Sequence, residues 1–211
     1  GDASASSCLP VQAEASVMSW LESVAALLGV ANVLLIARRS IWNFPVGMLM
    51  VVLYAKVFFD ARLYADAALQ AYFFAIQIYG WWHWQSGLRE EGEIAVSVLS
   101  NPQRVLAVGA TLVLSAGIGI FLASRTDAAA PYLDALVAGL SITAQWLLSI
   151  RRIESWYFWI AVNILGVWLF ASRGLYPTTA LYALFLIIDL YGLRRWLRAV
   201  NLQKVGETHP R

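Results

Sequence analysis

The strongest constraint on this chain is a row of seven apolar, nearly uncharged stretches. They are Val17–Ala37, Trp42–Phe59, Leu63–Trp84, Val105–Ala123, Tyr132–Ile150, Trp156–Ala171 and Leu175–Leu197. Each is close to the roughly 17–25 residues that a helix needs to cross about 30 Å of hydrocarbon. Between them lie short breaks with charge or glycine: Arg38-Arg39, Asp60-Ala61-Arg62, Arg151-Arg152 and Arg173-Gly174. None shows the alternation over about ten residues that marks a transmembrane β-strand. Composition closes the alternative of a soluble domain. The chain is 60% hydrophobic and only 13% charged, against about 45–50% and 25% in soluble proteins. The expected fold class is all-α and integral to the membrane, with seven transmembrane helices.

Seven crossings put the termini on opposite sides. The leader and the second, fourth and sixth loops hold Arg62, Arg125 and Arg173. The other loops and the tail hold Arg38, Arg39, Arg89, Arg104, Arg151, Arg152, Arg194, Arg195, Arg198, Lys204 and Arg211. Basic residues collect on the cytoplasmic side, so the expected topology is N-terminus outside and C-terminus in the cytoplasm, in the inner membrane. A net charge of +2 gives no footprint for nucleic acid, and the single Cys8 excludes an internal disulfide.

Sliding the chain by 112 residues aligns it with itself without a gap. Trp20–Trp84 against Tyr132–Trp196 gives 18 identities in 65 positions, among them Leu63-Tyr64 on Leu175-Tyr176, Tyr79-Gly80 on Tyr191-Gly192 and Trp84 on Trp196. The expected organisation is a polar leader over 1–16 and a three-helix repeat over 17–84. A loop plus linker helix follows over 85–131, then a second three-helix repeat over 132–197 and a tail over 198–211. One extra crossing lets the second unit keep the orientation of the first. Parallel repeats of this kind place substrate sites between their halves near the midplane, which points to a small transporter. Ser115, Gly119 and Ala123 on the linker have the spacing of close helix packing, within the chain or between copies.

Polar groups inside a bilayer are costly and are functional candidates. Asp66, Gln70, Phe73 and Gln77 share one face of the third stretch; Trp156, Trp159 and Asn163 share one face of the sixth. Tyr182, Phe185 and Asp189 form a further mixed face on the seventh. Indole rings stack on flat ligands and attract cations, and carboxamides both donate and accept hydrogen bonds. Together they suit a flat, polar, uncharged or cationic molecule. No Lys or Arg falls on these faces, which disfavours a phosphorylated ligand. Structural roles stand beside the binding ones. Trp156 could anchor at the membrane boundary, Gln70 and Gln77 could bond neighbouring helices, and Asp66 could reach water. Trp81, Trp82, His83 and Trp84 read as an interfacial belt. Lys56 reads as an end-of-span lysine.

No phosphate-cradling G-x-x-x-x-G-K-[ST], H-E-x-x-H or G-x-S-x-G occurs, so neither an ATP-driven pump nor an enzyme is expected, and no cofactor or metal. The run LYADAALQAYFFAIQIYGWWHW (Leu63–Trp84) and the run IESWYFWIAVN (Ile153–Asn163), with its W-x-x-W-x-x-x-N spacing, resemble the Pnu-type vitamin transporters over nearly all of 18–197. The resemblance implies a 3+1+3 fold similar to SWEET-type transporters, assembled as a homotrimer. It implies facilitated diffusion of nicotinamide riboside, trapped inside by a cytoplasmic kinase. By the same resemblance Trp159 would stack on the nicotinamide ring, Asn163 would hydrogen-bond the ligand, and Asp66 and Gln70 would contact ribose or carboxamide. Phe73 keeps an aromatic ring but offers no hydroxyl. Transport of another vitamin such as thiamine, or vitamin sensing without transport, remains the alternative.

Overall fold

The computed structural model describes residues 8–60, 64–92, 94–126, 130–172 and 174–208; the side chains of 8–19, 22, 64–66, 91 and 204–208 lie outside that description. Seven helices occupy the seven predicted positions: α1 (Cys8–Ala37), α2 (Asn43–Asp60), α3 (Tyr64–Glu91), α4 (Asn101–Arg125), α5 (Pro131–Ser149), α6 (Ser155–Ser172) and α7 (Tyr176–Thr208). Four of them, α2, α4, α6 and α7, have the length and hydropathy to cross a bilayer. With the relatives described below, this makes the chain a multi-pass membrane protein. Helix α3 carries Gln70, Gln77 and His83, and α5 carries Asp134 and Gln145. Gln77 and Gln145 are buried, so they lower the hydropathy of their helices without facing lipid.

Three helices run well past their apolar stretches, α3 continuing from Trp84 to Glu91. Helix α7 continues past Leu197 to Thr208 because Ala199 and Val200 tuck into the core beside Trp196. The backbone of α1 is already helical at Cys8, ahead of Val17.

Helix packing repeats itself. Helix α1 packs on α2, α2 on α3, and α3 on α5; in the same way α5 packs on α6, α6 on α7, and α7 on α1. Helix α4 leans on α5. Fine structure repeats at the 112-residue offset. Arg39 and Arg151, at the ends of α1 and α5, both take positive φ, 56° and 59°. Trp84 Nε1 donates to Leu148 O at 3.3 Å, and Trp196 Nε1 donates to Ile36 O at 3.1 Å. Phe44 meets Trp84 edge-on at 5.2 Å, and Trp156 meets Trp196 edge-on at 5.5 Å. Gly80 and Gly192 make room for those rings: a methyl group at Gly80 would strike Phe44, and one at Gly192 would strike Trp156.

These aromatics, with Ile36, Ala37, Leu148 and Ile153, form a core at the end of the molecule that carries the arginine turns. The 94–100 segment seals it. Ile94, Val96 and Leu99 are buried there, and Ser97 exchanges hydrogen bonds with Arg151 O and Ile153 N at 3.0 Å each. The buried Glu154 carboxylate accepts Leu99 N and Arg104 Nε.

The supposed interfacial belt splits. Trp81 and Trp82 are exposed, whereas Trp84 is fully buried. Trp82 points away from Trp84 at 100° per residue, while Trp84 is held inside by its bond to Leu148 O and its contacts with Phe44 and Trp196. Lys56 lies in the last turn of α2 and pairs with Asp60 at 2.8 Å. Two of the three small residues of α4 pack within the chain, Gly119 against Tyr132 and Ser115 against Gly139 of α5, while Ala123 is exposed.

Candidate functional site

Between the two sets of helices lies a cavity of about 750 Å³, within the range of small-molecule sites. It rests on the aromatic core at Ile36, Leu148 and Trp156 and reaches Ser23, Phe58, Pro177 and Thr178. Phe58, Pro177 and Thr178 sit near the opposite ends of α2 and α7 and Ser23 lies midway along α1, so the cavity approaches the surface away from the arginine turns and is floored by Trp156 on their side.

Ten pairs of lining residues are related by the 112-residue offset. Some pairs match: Phe58 with Phe170, Leu69 with Leu181, Phe73 with Phe185. Others differ in chemistry: Val51 with Asn163, Gln70 with Tyr182, Gln77 with Asp189, Val33 with Gln145. The cavity therefore has nearly twofold walls whose polar groups stand at unlike positions in the two halves.

Of the seven residues that the sequence singles out, six line this cavity: Gln70, Phe73, Gln77, Trp156, Trp159 and Asn163. The side chain of Asp66 falls outside the described residues. Trp156 is 2% exposed and packed edge-on against Trp196, so it belongs to the floor and is no boundary anchor. Trp159 stands one helical turn further along α6, less buried and without a share in that core. Gln77 is buried, and its carboxamide occupies the space left by Gly47, where any side chain would collide with it.

The polar centre of the second half is a hydrogen bond from Asn163 Nδ2 to Asp189 Oδ2 at 2.6 Å, with both residues buried. Sequence reasoning places Asp189 on a mixed face but not among the site candidates. The signal was its offset from Gln77. Asn32 on α1 and Gln145 on α5 also line the cavity and were missed, because each is a lone polar residue in an apolar run. Asn32 Oδ1 and Trp156 Nε1 are buried with no hydrogen-bond partner among the described residues. Such atoms are costly to leave unpaired, so these two lining residues hold bonding capacity that a ligand could use. Among the described residues, the lining has no Lys, Arg or His, and its one acidic residue is Asp189. No group of three or more potential metal ligands exists among the described residues.

Helices of membrane-spanning length around a pseudo-symmetric, ligand-sized cavity are the features of a small-solute carrier. The family comparison places this carrier more closely. Residues 19–198 match the family described as nicotinamide mononucleotide transporter, and the chain belongs to that family. It is 28% identical to the nicotinamide riboside transporter PnuC of Escherichia coli (strain K12), over 92% of this chain and 91% of the relative. It is 30% identical to the protein of the same name from Neisseria mucosa, over 87% and 74%. The riboflavin/roseoflavin transporter RibM of Streptomyces davaonensis is 27% identical, over 84% of both chains. The crystal structure of the vitamin B3 transporter PnuC superposes with a TM-score of 0.73 at 31% identity, over 92% of this chain and 88% of that one. Family and relatives are transporters and not enzymes.

Proposed function

We propose that this protein carries nicotinamide riboside into the cell by facilitated diffusion, with a cytoplasmic kinase trapping the product as a phosphate ester. The observation that carries the reading is the cavity's chemistry. Trp159 offers a stacking face to a flat pyridinium ring. Asn163, Asp189, Gln70 and Gln77 offer partners for a carboxamide and a ribose, and Asp66 is proposed to join them. The absence of a cation among the described lining residues favours the riboside over the mononucleotide of the family's description. The relatives named for riboside transport support the same choice.

The architecture proposed with this function is two parallel three-helix units, 17–84 and 132–197, joined by the 85–131 loop and linker helix in a 3+1+3, SWEET-like order, all seven helices crossing the bilayer. Recurrence of contacts, turns and tryptophan hydrogen bonds at 112 residues supports it. The arginine turns face the cytoplasm in this reading, with the N-terminus outside and the inner membrane as location. A homotrimer is proposed from the family resemblance, and the face of α4 turned away from α5 exposes Val105, Leu112 and Val113 for it.

Uptake of labelled riboside into proteoliposomes tests the function. Saturable entry that stops at equilibrium, and that exceeds it only when kinase and ATP are enclosed, is the expected result. Accumulation driven by an ion gradient alone would contradict facilitated diffusion. Riboflavin is the second reading, favoured by the RibM relative. Competition by riboflavin at concentrations where riboside binding saturates would replace the first reading with it.

A further inference from the structure

We infer that the Asn163–Asp189 pair is a specificity device: it reads an N–H donor on the ligand's ring substituent and rejects the carboxylate analogue. This rests on the proposed riboside function. The argument starts from the hydrogen-bond inventory. A carboxamide side chain has one acceptor oxygen and two N–H donors, and a carboxylate only accepts. Asn163 Nδ2 spends a donor on Asp189 Oδ2 at 2.6 Å. That bond fixes which end of the amide Asn163 turns to Asp189 and directs Oδ1 elsewhere. Asp189 is thus a positioning residue for Asn163 and an acceptor in its own right.

The result is an acceptor-rich corner in a mainly apolar cavity. Both residues are buried and both line it. The corner exists in one half only, since the 112-offset counterparts of Asn163 and Asp189 are Val51 and Gln77. A ligand group with N–H bonds finds partners there. A carboxylate in the same place adds acceptors to acceptors and a negative charge with no cation among the described lining residues. An isosteric methyl ketone loses the donors while keeping ring, charge and shape. Hydrogen bonds in a buried corner are costly to leave unmade, so losing them weakens binding about 10- to 100-fold.

The test compares three ribosides on the purified full-length protein by calorimetry: nicotinamide riboside, nicotinic acid riboside and 3-acetylpyridine riboside. The wild type is expected to bind the first at least about tenfold more tightly than the other two. In Asp189→Asn the carboxylate becomes a second amide, able to donate, and preference for the carboxamide over the acid is expected to collapse while total stacking is kept. Asp189→Glu is expected to retain part of the preference, which a purely structural loss would not do. If Asp189→Asn does not fold, the acetyl analogue on wild-type protein still decides. Equal affinities for carboxamide and acetyl ribosides, or an unchanged acid-to-amide ratio in folded Asp189→Asn, would overturn the inference and leave the riboside function standing. Failure of all three ribosides to bind would overturn the function itself and this inference with it.

Discussion

The two sets of helices on either side of the cavity agree at one end and disagree in the middle. At the arginine-turn end they share buried tryptophans bonded to the opposite set, glycines carved for aromatic rings, and left-handed turns at Arg39 and Arg151. In the cavity the partners are exchanged in size and polarity. Gly47 and Gln77 on one side correspond to Trp159 and Asp189 on the other. The long Gln77 side chain fills the space above a glycine, whereas the shorter Asp189 bonds Asn163 and leaves the indole its own place. A frame that repeats at 112 residues is nearly symmetric, and the proposed ligand, with one ring and one sugar, requires that it be decorated unequally.

The largest expected effect breaks the unequal part. Trp159→Ala should weaken riboside binding about 10- to 100-fold, the scale of one lost aromatic stack, with the melting temperature in detergent little changed because Trp159 stands outside the core. Wild-type affinity in a folded variant would remove Trp159 from the site.

Next come the glycines of the shared part. Gly80→Ala and Gly192→Ala each press a methyl group into a packed ring, overpacking that costs about 1–3 kcal/mol, read as loss of thermal stability. The pair also separates frame from site. Gly192→Ala displaces Trp156, which lines the cavity, and should weaken binding; Gly80→Ala displaces Phe44, which does not line it, and should leave affinity unchanged. Equal loss of affinity in both would show that floor and wall are one unit.

The indole hydrogen bonds give a finer test. Ile36 O and Leu148 O each retain a backbone bond, from Arg39 N and Arg151 N. Trp196→Phe and Trp84→Phe should therefore each cost about 1 kcal/mol for the lost bond, plus whatever the smaller ring gives up in packing. Similar losses in the two variants would support the repeat, and a difference of several kcal/mol would break it. Smallest of all, Lys56→Gln removes an exposed ion pair with no counterpart in the other half and should change stability by less than about 0.5 kcal/mol.

Much of this was readable beforehand, for physical reasons that also explain what was not. Apolar length locates helices, so seven were placed to within a few residues except at the start of α1 and the far ends of α3 and α7, where the helices run on past their apolar stretches. Periodicity puts Gln70, Phe73 and Gln77 on one face and Trp156, Trp159 and Asn163 on another, and both faces meet the cavity. A lone Asn32 or Gln145 has no pattern to reveal its direction, because rotation of an apolar helix is set by its neighbours. The burial of Trp84 was hidden by the adjacent Trp81 and Trp82, and the sealing role of 94–100 depends on long-range bonds to Arg151, Ile153 and Glu154. The Asn163–Asp189 bond joins α6 to α7 across 26 positions, a distance that spacing rules do not reach.

The measurement that bears most directly on the central claim is calorimetric titration of the purified protein with nicotinamide riboside, repeated with nicotinamide mononucleotide. A cavity with Asp189 in its wall and no cation among its described lining residues should bind the riboside saturably and the phosphate ester at least about 100-fold more weakly, since burying an unpaired charge costs several kcal/mol. Comparable affinity for both, or binding of the mononucleotide alone, would contradict this account of the cavity.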